Sequence, residues 1–385
     1  MVKKILLIHN KYRNIGGEDI AVQNEIKFLK KYYTVKVLYF DNVINRSSYI
    51  KQIISFFLNS NKESIRLTKV AIEDFQPDLV YVHNTWFKAS VGIFKLLKKN
   101  NLQTFIKLHN FRYDCTRSYF IKNHLSQKET CPACGLRYRK FKIFNKYFEN
   151  SYLKSLFAII YGRAYFKVLT DNYFNLFVLT NFHRDYLFSL GIKKDKIYVL
   201  PNSIKITDKT LATSGERFIL YAGRISSEKG VEEIIKSYLK IEDTGLKLKI
   251  VGQGPTLEKL INKYKNPNIE FLGELQNSKV IKIMEKAMIV ITATKLFEGQ
   301  PTLLCEASSL GIPSIFPETG GIKEFFPDQY QLSFKQFDYI DLEEKLNLTS
   351  NVEMLKTIGK ENKKYLLNYL DENRLLEIFQ KGIDG

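Results

Sequence analysis

The chain has 385 residues, which is long for one hydrophobic core and sufficient for two domains. Its apolar fraction of 45% is ordinary for a soluble globular protein. No apolar run approaches the roughly eighteen residues of a membrane-spanning helix, and Ile5–Ile8 is too short for the core of a signal peptide. These features exclude a membrane-spanning protein, and we expect a cytoplasmic one.

The positive charge is concentrated in the first half of the chain. Residues 1–200 hold 34 Lys and Arg against 14 Asp and Glu, a net of +20, whereas residues 201–385 hold 25 against 26, a net of −1. The two values add up to the net charge of +19. A basic face of this kind attracts nucleic acid or an anionic membrane surface, so the halves are expected to meet different partners.

Short apolar runs alternate with helical patterns along the chain, which predicts parallel sheets with helices on both faces. In the first half the predicted strands are Ile5–His9, Val35–Phe40, Leu79–His83, Thr104–His109 and Leu176–Thr180. In the second half they are Phe218–Ala222, Leu246–Val251, Ile269–Leu272, Met288–Thr292 and Ser314–Phe316, separated by helices near 230–240, 256–265, 277–286 and 302–310.

The Pro-Asn-Ser sequence within Tyr198–Ile204 predicts a linker between two domains. We expect domains at 1–200 and 201–365, and a final helix at 366–385 that could return to the first domain. Open parallel α/β domains bind ligands at the carboxyl ends of their strands, and two that face each other form a cleft.

The segment 298–324 (EGQPTLLCEASSLGIPSIFPETGGIKE) carries the strongest functional signal. Glu298 and Glu306 flank a predicted helix start, with Pro301 at the first helical position. A helix N-terminus binds phosphate through unpaired N–H groups, whereas carboxylates accept hydrogen bonds from hydroxyls. A site that binds both phosphates and hydroxyls is predicted to bind a nucleoside diphosphate sugar. A surface loop followed by a capped helix is the alternative interpretation.

Further candidate loops follow other predicted strands. Gly16 and Gly17 lie in NIGGED after the first strand, Arg224 and Lys229 lie in GRISSEKG, and Gly252 lies in VGQGP. Glycines allow the backbone to approach a ligand closely, while Arg and Lys bind phosphate oxygens and neutralise a leaving diphosphate. Taken singly, each loop could be a turn or a solvated surface segment.

Cysteine spacing raises the question of a structural zinc ion. Cys131 and Cys134 are spaced as half a zinc site, and Cys115 and His124 could complete it. Reduced, partly buried thiols are the interpretation that we favour.

Residues 137–167 contain eight basic residues, one acidic residue and aromatic residues at helical spacing. Such a segment is typical of a membrane interface, but it could also be a packed helix with a solvated face or a platform for single-stranded nucleic acid. We favour the membrane. The residues expected at the membrane or the acceptor are Arg137, Arg139, Lys140, Lys142, Phe144, Lys146 and Phe148.

GRISSEKG, VGQGP, Phe271–Gly273 and the E-x7-E segment occur in this order. Together they closely resemble the C-terminal domain of retaining GT-B glycosyltransferases of family four, over roughly residues 199–325. The first half also fits, through GGED, VHN at 82–84 and LHNFRYDC at 108–115. The resemblance is to a bacterial subgroup that builds capsule, O-antigen or other exopolysaccharides. It implies the GT-B fold: two facing Rossmann-like domains with a cleft between them.

The resemblance implies roles in the second half. Glu306 would bind the ribose hydroxyls and Glu298 the donor sugar, while Arg224 and Lys229 would neutralise the leaving diphosphate. The remaining donor contacts would be Gly223, Gly252, Gln300, Thr302 and Leu303. Many relatives have Gly-Phe-Gly after the first glutamate, whereas this chain has Gly-Gln-Pro, which leaves the donor sugar open.

In the first half, the loop at Gly16 and Gly17 would reach the donor. His109 would lie beside the sugar as a catalytic residue, together with Glu298, Arg224 and Lys229. His83 also ends a predicted strand, and we expect it to be structural.

The implied function is transfer of a hexose, with retention, from a UDP or GDP sugar to a saccharide linked to a polyprenyl lipid. The resemblance implies no required cofactor or metal. The expected partners are the nucleotide sugar, the lipid-linked acceptor and an anionic membrane surface on the inner face of the cell membrane, without nucleic acid. The alternatives are a nucleotide-sugar epimerase of the same fold, or a membrane- or nucleic-acid-binding scaffold with a vestigial nucleotide site.

Overall fold

The computed structural model describes residues 3–12, 17–42, 54–55, 57–111, 113, 152–204, 217–241 and 245–384. Within these ranges the chain forms two compact units. The first comprises the residues up to Ser203 together with those from Leu375 onward, and the second runs from Ile204 to Arg374. The limits expected from the sequence, at 200 and 365, lie three and nine residues before these boundaries.

The first unit is built on a six-stranded sheet in the order β2-β1-β3-β4-β5-β6, with all strand pairs parallel. Its strands are β1 (Lys4–Lys11), β2 (Thr34–Asp41), β3 (Leu79–Val82), β4 (Thr104–Leu108), β5 (Asn175–Val178) and β6 (Ile197–Val199). The described helices between them are α1 (Gly17–Leu29), α2 (Lys62–Phe75), α3 (Gly92–Lys99), α4 (Tyr152–Leu169) and α5 (Asn181–Ser189).

The second unit repeats this plan with a six-stranded parallel sheet in the order β12-β11-β10-β7-β8-β9. Its strands are β7 (Phe218–Ala222), β8 (Lys247–Val251), β9 (Ile269–Gly273), β10 (Ile289–Ile291), β11 (Ser314–Glu318) and β12 (Ser333–Lys335). Its helices are α6 (Val231–Tyr238), α7 (Leu257–Lys263), α8 (Asn277–Met284), α9 (Thr302–Ser309), α10 (Tyr339–Asn347) and α11 (Val352–Tyr369). The two parallel sheets confirm the predicted fold class.

Two edge strands were not predicted. Ile197–Val199 is a strand, although we assigned most of it to the linker, and Ser333–Lys335 had no strand prediction. Each has only three residues, which is too short for hydrophobic periodicity to be recognised.

The register of the sheets aligns the loops that follow the strands at the carboxyl edges. In the first unit Ile8 pairs with Val82, and Val82 pairs with Ile106. The residues that come next in β1, β3 and β4 therefore lie side by side at one edge of the sheet. In the second unit Val290 pairs with Leu220, which aligns the ends of β10 and β7. Parallel strands therefore bring residues that are distant in sequence to one edge of each sheet.

Helix α12 (Glu372–Asp384) completes the core of the first unit. Phe379 is fully buried, and its ring centroid lies 5.6 Å from that of Phe177 and 5.7 Å from that of Tyr81. Gly382 lets the helix approach the sheet, because a Cβ atom there would lie 2.7 Å from the Phe177 ring. The core of the first unit thus depends on a helix that comes after the second unit in sequence.

Of the basic segment 137–167, the structure describes the part from residue 152 onward, which lies in α4. Across the described ranges, every helix is too short or too polar to cross a membrane.

The packing of α12 predicts a local effect of Phe379→Ala. Removing a buried phenylalanine costs about 3–5 kcal/mol, and the loss should destabilise the first unit selectively. Hydrogen-exchange mass spectrometry should show faster exchange in β3 and β5 and unchanged exchange in β7 and β10. Exposed Glu377 on the same helix supplies the control Glu377→Ala, which should leave both units unchanged. Equal acceleration in both units would contradict this assignment.

Candidate active site

At the carboxyl edge of the second sheet, neighbouring loops contact each other through the backbone of glycine residues. The Gly223 amide donates to the Val251 carbonyl at 3.0 Å, and the Gly252 amide donates to the Gly273 carbonyl at 2.8 Å. Gly252 has φ 143°, and a Cβ atom there would lie 1.8 Å from the carbonyl oxygen of Gly223. Only glycine fits at this position. The predicted loop residues Gly223 and Gly252 are therefore in direct contact.

Tyr221 supports the loop that carries Arg224. Its hydroxyl donates to the Arg224 carbonyl at 2.8 Å, and burial, with the nearby charge of Glu298, raises the pKa of this hydroxyl far above its ordinary value. The hydroxyl therefore stays protonated as a donor. The side chain of Arg224 is exposed, and the described residues supply no ion-pair partner for it.

Lys229 and Glu298 form the central charged contact of this edge. The Lys229 Nζ lies 2.5 Å from the Glu298 Oε1, and the Thr294 hydroxyl donates to the same oxygen at 3.0 Å. The side chains of Lys229 and Glu298 are 30% and 26% exposed, so a ligand can reach both charges. The structure thus brings together a cation predicted for the diphosphate and a carboxylate predicted for the sugar.

The backbone of Glu298 is held by the turn that follows β11. The Gly321 amide donates to the Glu298 carbonyl at 2.8 Å. Gly320 has φ 58°, and a Cβ atom there would lie 2.2 Å from that carbonyl oxygen. This role of the Thr-Gly-Gly sequence was not assigned from the sequence, although the adjacent glycines were the available signal.

Helix α9 begins at Thr302, so Pro301 precedes the helix and does not occupy its first position. The Pro301 carbonyl accepts the first helical hydrogen bond, from the Cys305 amide at 3.0 Å. The predicted donor contacts Thr302 and Leu303 form the first turn, where amides lack helical partners. Gln300 is 8% exposed and hydrogen-bonds the thiol of Cys305, which places it in the support of this helix start.

Glu306 is partly buried on α9. The Asn277 Nδ2 lies 3.4 Å from its Oε1, at the start of α8. Burial raises the pKa of Glu306, and the hydrogen bond from Asn277 opposes that change. Asn277 was missed by sequence reasoning, although it follows the Phe-Leu-Gly strand end. Within the described ranges Glu306 and Arg224 form no side-chain hydrogen bond or ion pair with Lys229 or Glu298.

In the first unit, histidines lie at the carboxyl edge of three adjacent strands. His9 is near the end of β1, and its Nε2 lies 2.9 Å from the Asp19 Oδ1. His83 and His109 follow β3 and β4, and the His83 Nδ1 lies 2.9 Å from the His109 Nε2. His83, which we expected to be structural, is therefore a direct partner of His109.

A buried ion pair lies among the same side chains. The Lys107 Nζ contacts both Glu25 oxygens at 2.8 Å, and the Tyr81 hydroxyl donates to the Glu25 Oε1 at 2.8 Å. Glu25, His83 and His109 could offer metal-ligand atoms within 4.8 Å of one another. The donor set fits a metal poorly, because Lys107 and Tyr81 already hold the Glu25 carboxylate.

The loop motif of the first unit leads into α1, which begins at Gly17. A Cβ atom at Gly17 would meet no atom within 4 Å, so there is open space beside the first residue of this helix. Glu18 accepts hydrogen bonds from the Tyr12 hydroxyl at 2.8 Å and from the Asn110 Nδ2 at 2.9 Å. Glu18 was missed, although it directly follows the predicted glycines.

Several predicted residues lie outside the described residues. They are Gly16, the possible zinc ligands Cys115, His124, Cys131 and Cys134, and the basic or aromatic residues Arg137, Arg139, Lys140, Lys142, Phe144, Lys146 and Phe148.

The raised pKa of Glu306 predicts a pH-dependent cost to stability. Because the folded pKa lies above the unfolded value, the ionised carboxylate destabilises the fold. The cost is absent below the unfolded pKa of about 4.3 and complete above the folded pKa. Glu306→Gln should therefore melt no lower than the parent at pH 4 and should gain stability over it as the pH rises to 8. Thermal melts across this range test the prediction, and a variant that becomes relatively less stable at high pH would contradict it.

Comparison with known proteins identifies relatives of part of the chain. Residues 202–368 match the family model "Glycosyl transferases group 1". The amylovoran biosynthesis glycosyltransferase AmsD of Erwinia amylovora is 30% identical over 147 residues, which are 36% of this chain and 41% of AmsD. The chain thus aligns with less than half the length of the curated relatives it matches first.

Solved structures match the whole fold at low sequence identity. Sucrose-phosphate synthase of Thermosynechococcus elongatus superposes with a TM-score of 0.72 at 15% identity, covering 99% of this chain and 97% of the other. Anabaena HepE, solved with UDP and glucose, gives 0.69 at 13% identity, with 99% of both chains covered. The chain therefore has the GT-B type of fold, and its residues 202–368 are similar to the glycosyltransferase group 1 domain.

Proposed function

We propose that the chain is a retaining glycosyltransferase that moves a hexose from a nucleoside diphosphate to a hydroxyl of a saccharide. The observation that carries the proposal is the contact of Lys229 with Glu298 at the carboxyl edge of the second sheet. Exposed Arg224 follows β7 on the same edge, and partly buried Glu306 lies on the helix after β10. Cations for a diphosphate and carboxylates for hydroxyls thus come from one sheet edge.

Each of these residues has a role that its surroundings support. Arg224 lacks an ion-pair partner among the described residues and is accessible, so it can bind phosphate oxygens with its planar guanidinium. Lys229 can leave its ion pair with Glu298 and bind the diphosphate instead. Glu298 can then accept hydrogen bonds from the donor sugar. Glu306, beside Asn277, accepts from the ribose hydroxyls. The amides of Thr302 and Leu303 bind phosphate at the start of α9.

The first unit would contribute His109 to the donor sugar. Burial and the charge of Lys107 lower the pKa of His109 well below its ordinary value, so the ring is neutral and can hydrogen-bond a hydroxyl. We assign no enzymic nucleophile. The departing phosphate removes the proton of the acceptor hydroxyl on the same face of the sugar, which gives retention.

The substrates are proposed from the relatives. AmsD is named for amylovoran biosynthesis, and HepE was solved with UDP and glucose. These names support a UDP sugar, with a GDP sugar as the alternative. They also support an acceptor in capsule, O-antigen or other exopolysaccharide synthesis, carried on a polyprenyl lipid. The first half, with its net charge of +20, suits a peripheral position on the anionic inner face of the cell membrane.

Glu306→Ala should abolish donor binding. Loss of two hydrogen bonds from ribose hydroxyls to a charged acceptor should weaken binding about 100-fold or more. A thermal-shift screen of UDP and GDP sugars would first identify the donor, and calorimetric titration would then compare parent and variant. Exposed Glu361 on α11 supplies the control Glu361→Ala, which should bind like the parent.

Product analysis separates transfer from the alternatives. With donor and lipid-linked acceptor, NMR should show a new glycosidic bond with the anomeric configuration of the donor. Epimerised donor formed without acceptor would replace our proposal by an epimerase. Donor binding that survives Glu306→Ala would reject the proposed site.

The basic segment predicts salt-sensitive binding to membranes. Liposomes with anionic lipid should carry the protein upward in flotation, and neutral liposomes should not. Replacing Arg137, Arg139, Lys140, Lys142 and Lys146 by Gln should reduce the bound fraction by about tenfold or more, because each basic residue near the surface contributes about 1 kcal/mol. Equal binding of the parent to neutral and anionic liposomes would argue against an electrostatic interface.

A further inference from the structure

His83 and His109 form one hydrogen-bonded unit at the edge of the first sheet. Their facing nitrogens, Nδ1 of His83 and Nε2 of His109, are 2.9 Å apart, and the rings are stacked with centroids 5.2 Å apart. His83 is 3% exposed. The other two nitrogens, Nε2 of His83 and Nδ1 of His109, are buried and have no hydrogen-bond partner among the residues that the structure describes.

The surroundings keep both rings neutral. His9 from β1 and Lys107 from β4 are basic side chains near the two rings. The charge of Lys107 is paired with that of Glu25 of α1. Burial is the largest cause that lowers the pKa of both histidines well below the ordinary value, with added repulsion from Lys107 and His9. Further polar groups near them include Asp19 of α1, bound to His9, Tyr81 of β3, bound to Glu25, and His183 of α5.

Two neutral imidazoles joined by one hydrogen bond have linked tautomers. If the His83 Nδ1 donates, the His109 Nε2 accepts, and the proton of His109 must lie on its Nδ1. If the His109 Nε2 donates, the proton of His83 must lie on its Nε2. Both rings are therefore protonated at Nδ1, or both at Nε2. In either state the two remaining nitrogens provide one donor and one acceptor.

We propose that His83 is a positioning residue that couples the tautomer of His109 to its own through their shared hydrogen bond, so that the pair presents one donor and one acceptor to its ligand. Both rings line a small cavity to which Glu18, Asn84, Thr85 and Asn110 also contribute. A hydroxyl group donates and accepts, so it matches this pair. A metal ion would need lone pairs on both rings, and a phosphate would need donors on both. The proposal rests on the proposed function, in which His109 contacts the donor sugar.

Nitrogen NMR tests the proposal without activity. The chain has only five histidines, so ¹⁵N-histidine labelling and single substitutions assign each ring. Long-range ¹H–¹⁵N spectra of the full chain at pH 7 should show His83 and His109 neutral and in the same tautomer. Opposite tautomers, or a doubly protonated ring at either position, would overturn the proposal. Added Zn²⁺ should leave both rings unshifted, and ligation of either ring by zinc would also overturn it.

A matched pair of variants tests the role of His83. His83→Leu removes the partner of the His109 Nε2, so His109 should become a mixture of tautomers, and kcat/KM should fall about three- to tenfold, the worth of one hydrogen bond. His83→Asn keeps a polar group near the Nδ1 position and should restore a single tautomer and most of the activity. An unchanged tautomer of His109 in His83→Leu would reject the positioning role. If the parent spectra are as expected and no sugar is transferred, only the proposed function fails.

Discussion

The candidate donor site depends on close contact between backbones at the carboxyl edge of the second sheet. Gly252 lies against the carbonyl of Gly223, and Gly320 lies against that of Glu298, at distances that exclude a side chain. These contacts connect loops from adjacent strands in the order β11, β10, β7 and β8. Lys229 follows β7 and Glu298 follows β10, so their contact exists because the two strands pair. The chemistry of the edge therefore follows from strand order and from glycines that let loops touch.

The charged groups of this edge contribute little to the stability of the fold, and a ligand can replace one partner of the ion pair. The Lys229–Glu298 pair is partly exposed, and such pairs contribute about 1 kcal/mol or less. An incoming diphosphate can therefore take Lys229 at little cost. Glu306 loses hydration without gaining a cationic partner among the described residues, so its ionised form opposes folding. Proteins often accept such local costs where a ligand is to be bound.

Much of the second unit could be predicted from the sequence, because its strands are buried apolar runs separated by glycine-containing loops. Phe218–Ala222 was predicted without error, and the other predicted strands of this unit differ by one or two residues. Pro301 was misplaced by one position, since the first helical residue is decided by local dihedral angles and not by composition. The contact of Gly320 with Glu298 joins two loops, and no local pattern indicates which loops meet.

The first unit was harder to interpret, because its site residues also meet through contacts between segments that are distant in sequence. His83 and His109 each follow a short apolar strand, and either could have been a packed histidine. Their hydrogen bond requires that β3 and β4 be neighbours in a particular register, which hydrophobic periodicity does not encode. The ion pair of Lys107 with Glu25 was missed because a lysine within a buried strand is indistinguishable, in sequence, from one at a surface.

The position of Phe379 has a consequence for synthesis of the chain. Phe177 and Tyr81 are covered by a helix that leaves the ribosome long after the strands that carry them. During translation the second unit can bury its own apolar residues while this face of the first sheet is still open. The N-terminal unit, although made first, therefore cannot complete its native core until translation has passed α12, and until then Phe177 and Tyr81 lack the contact with Phe379.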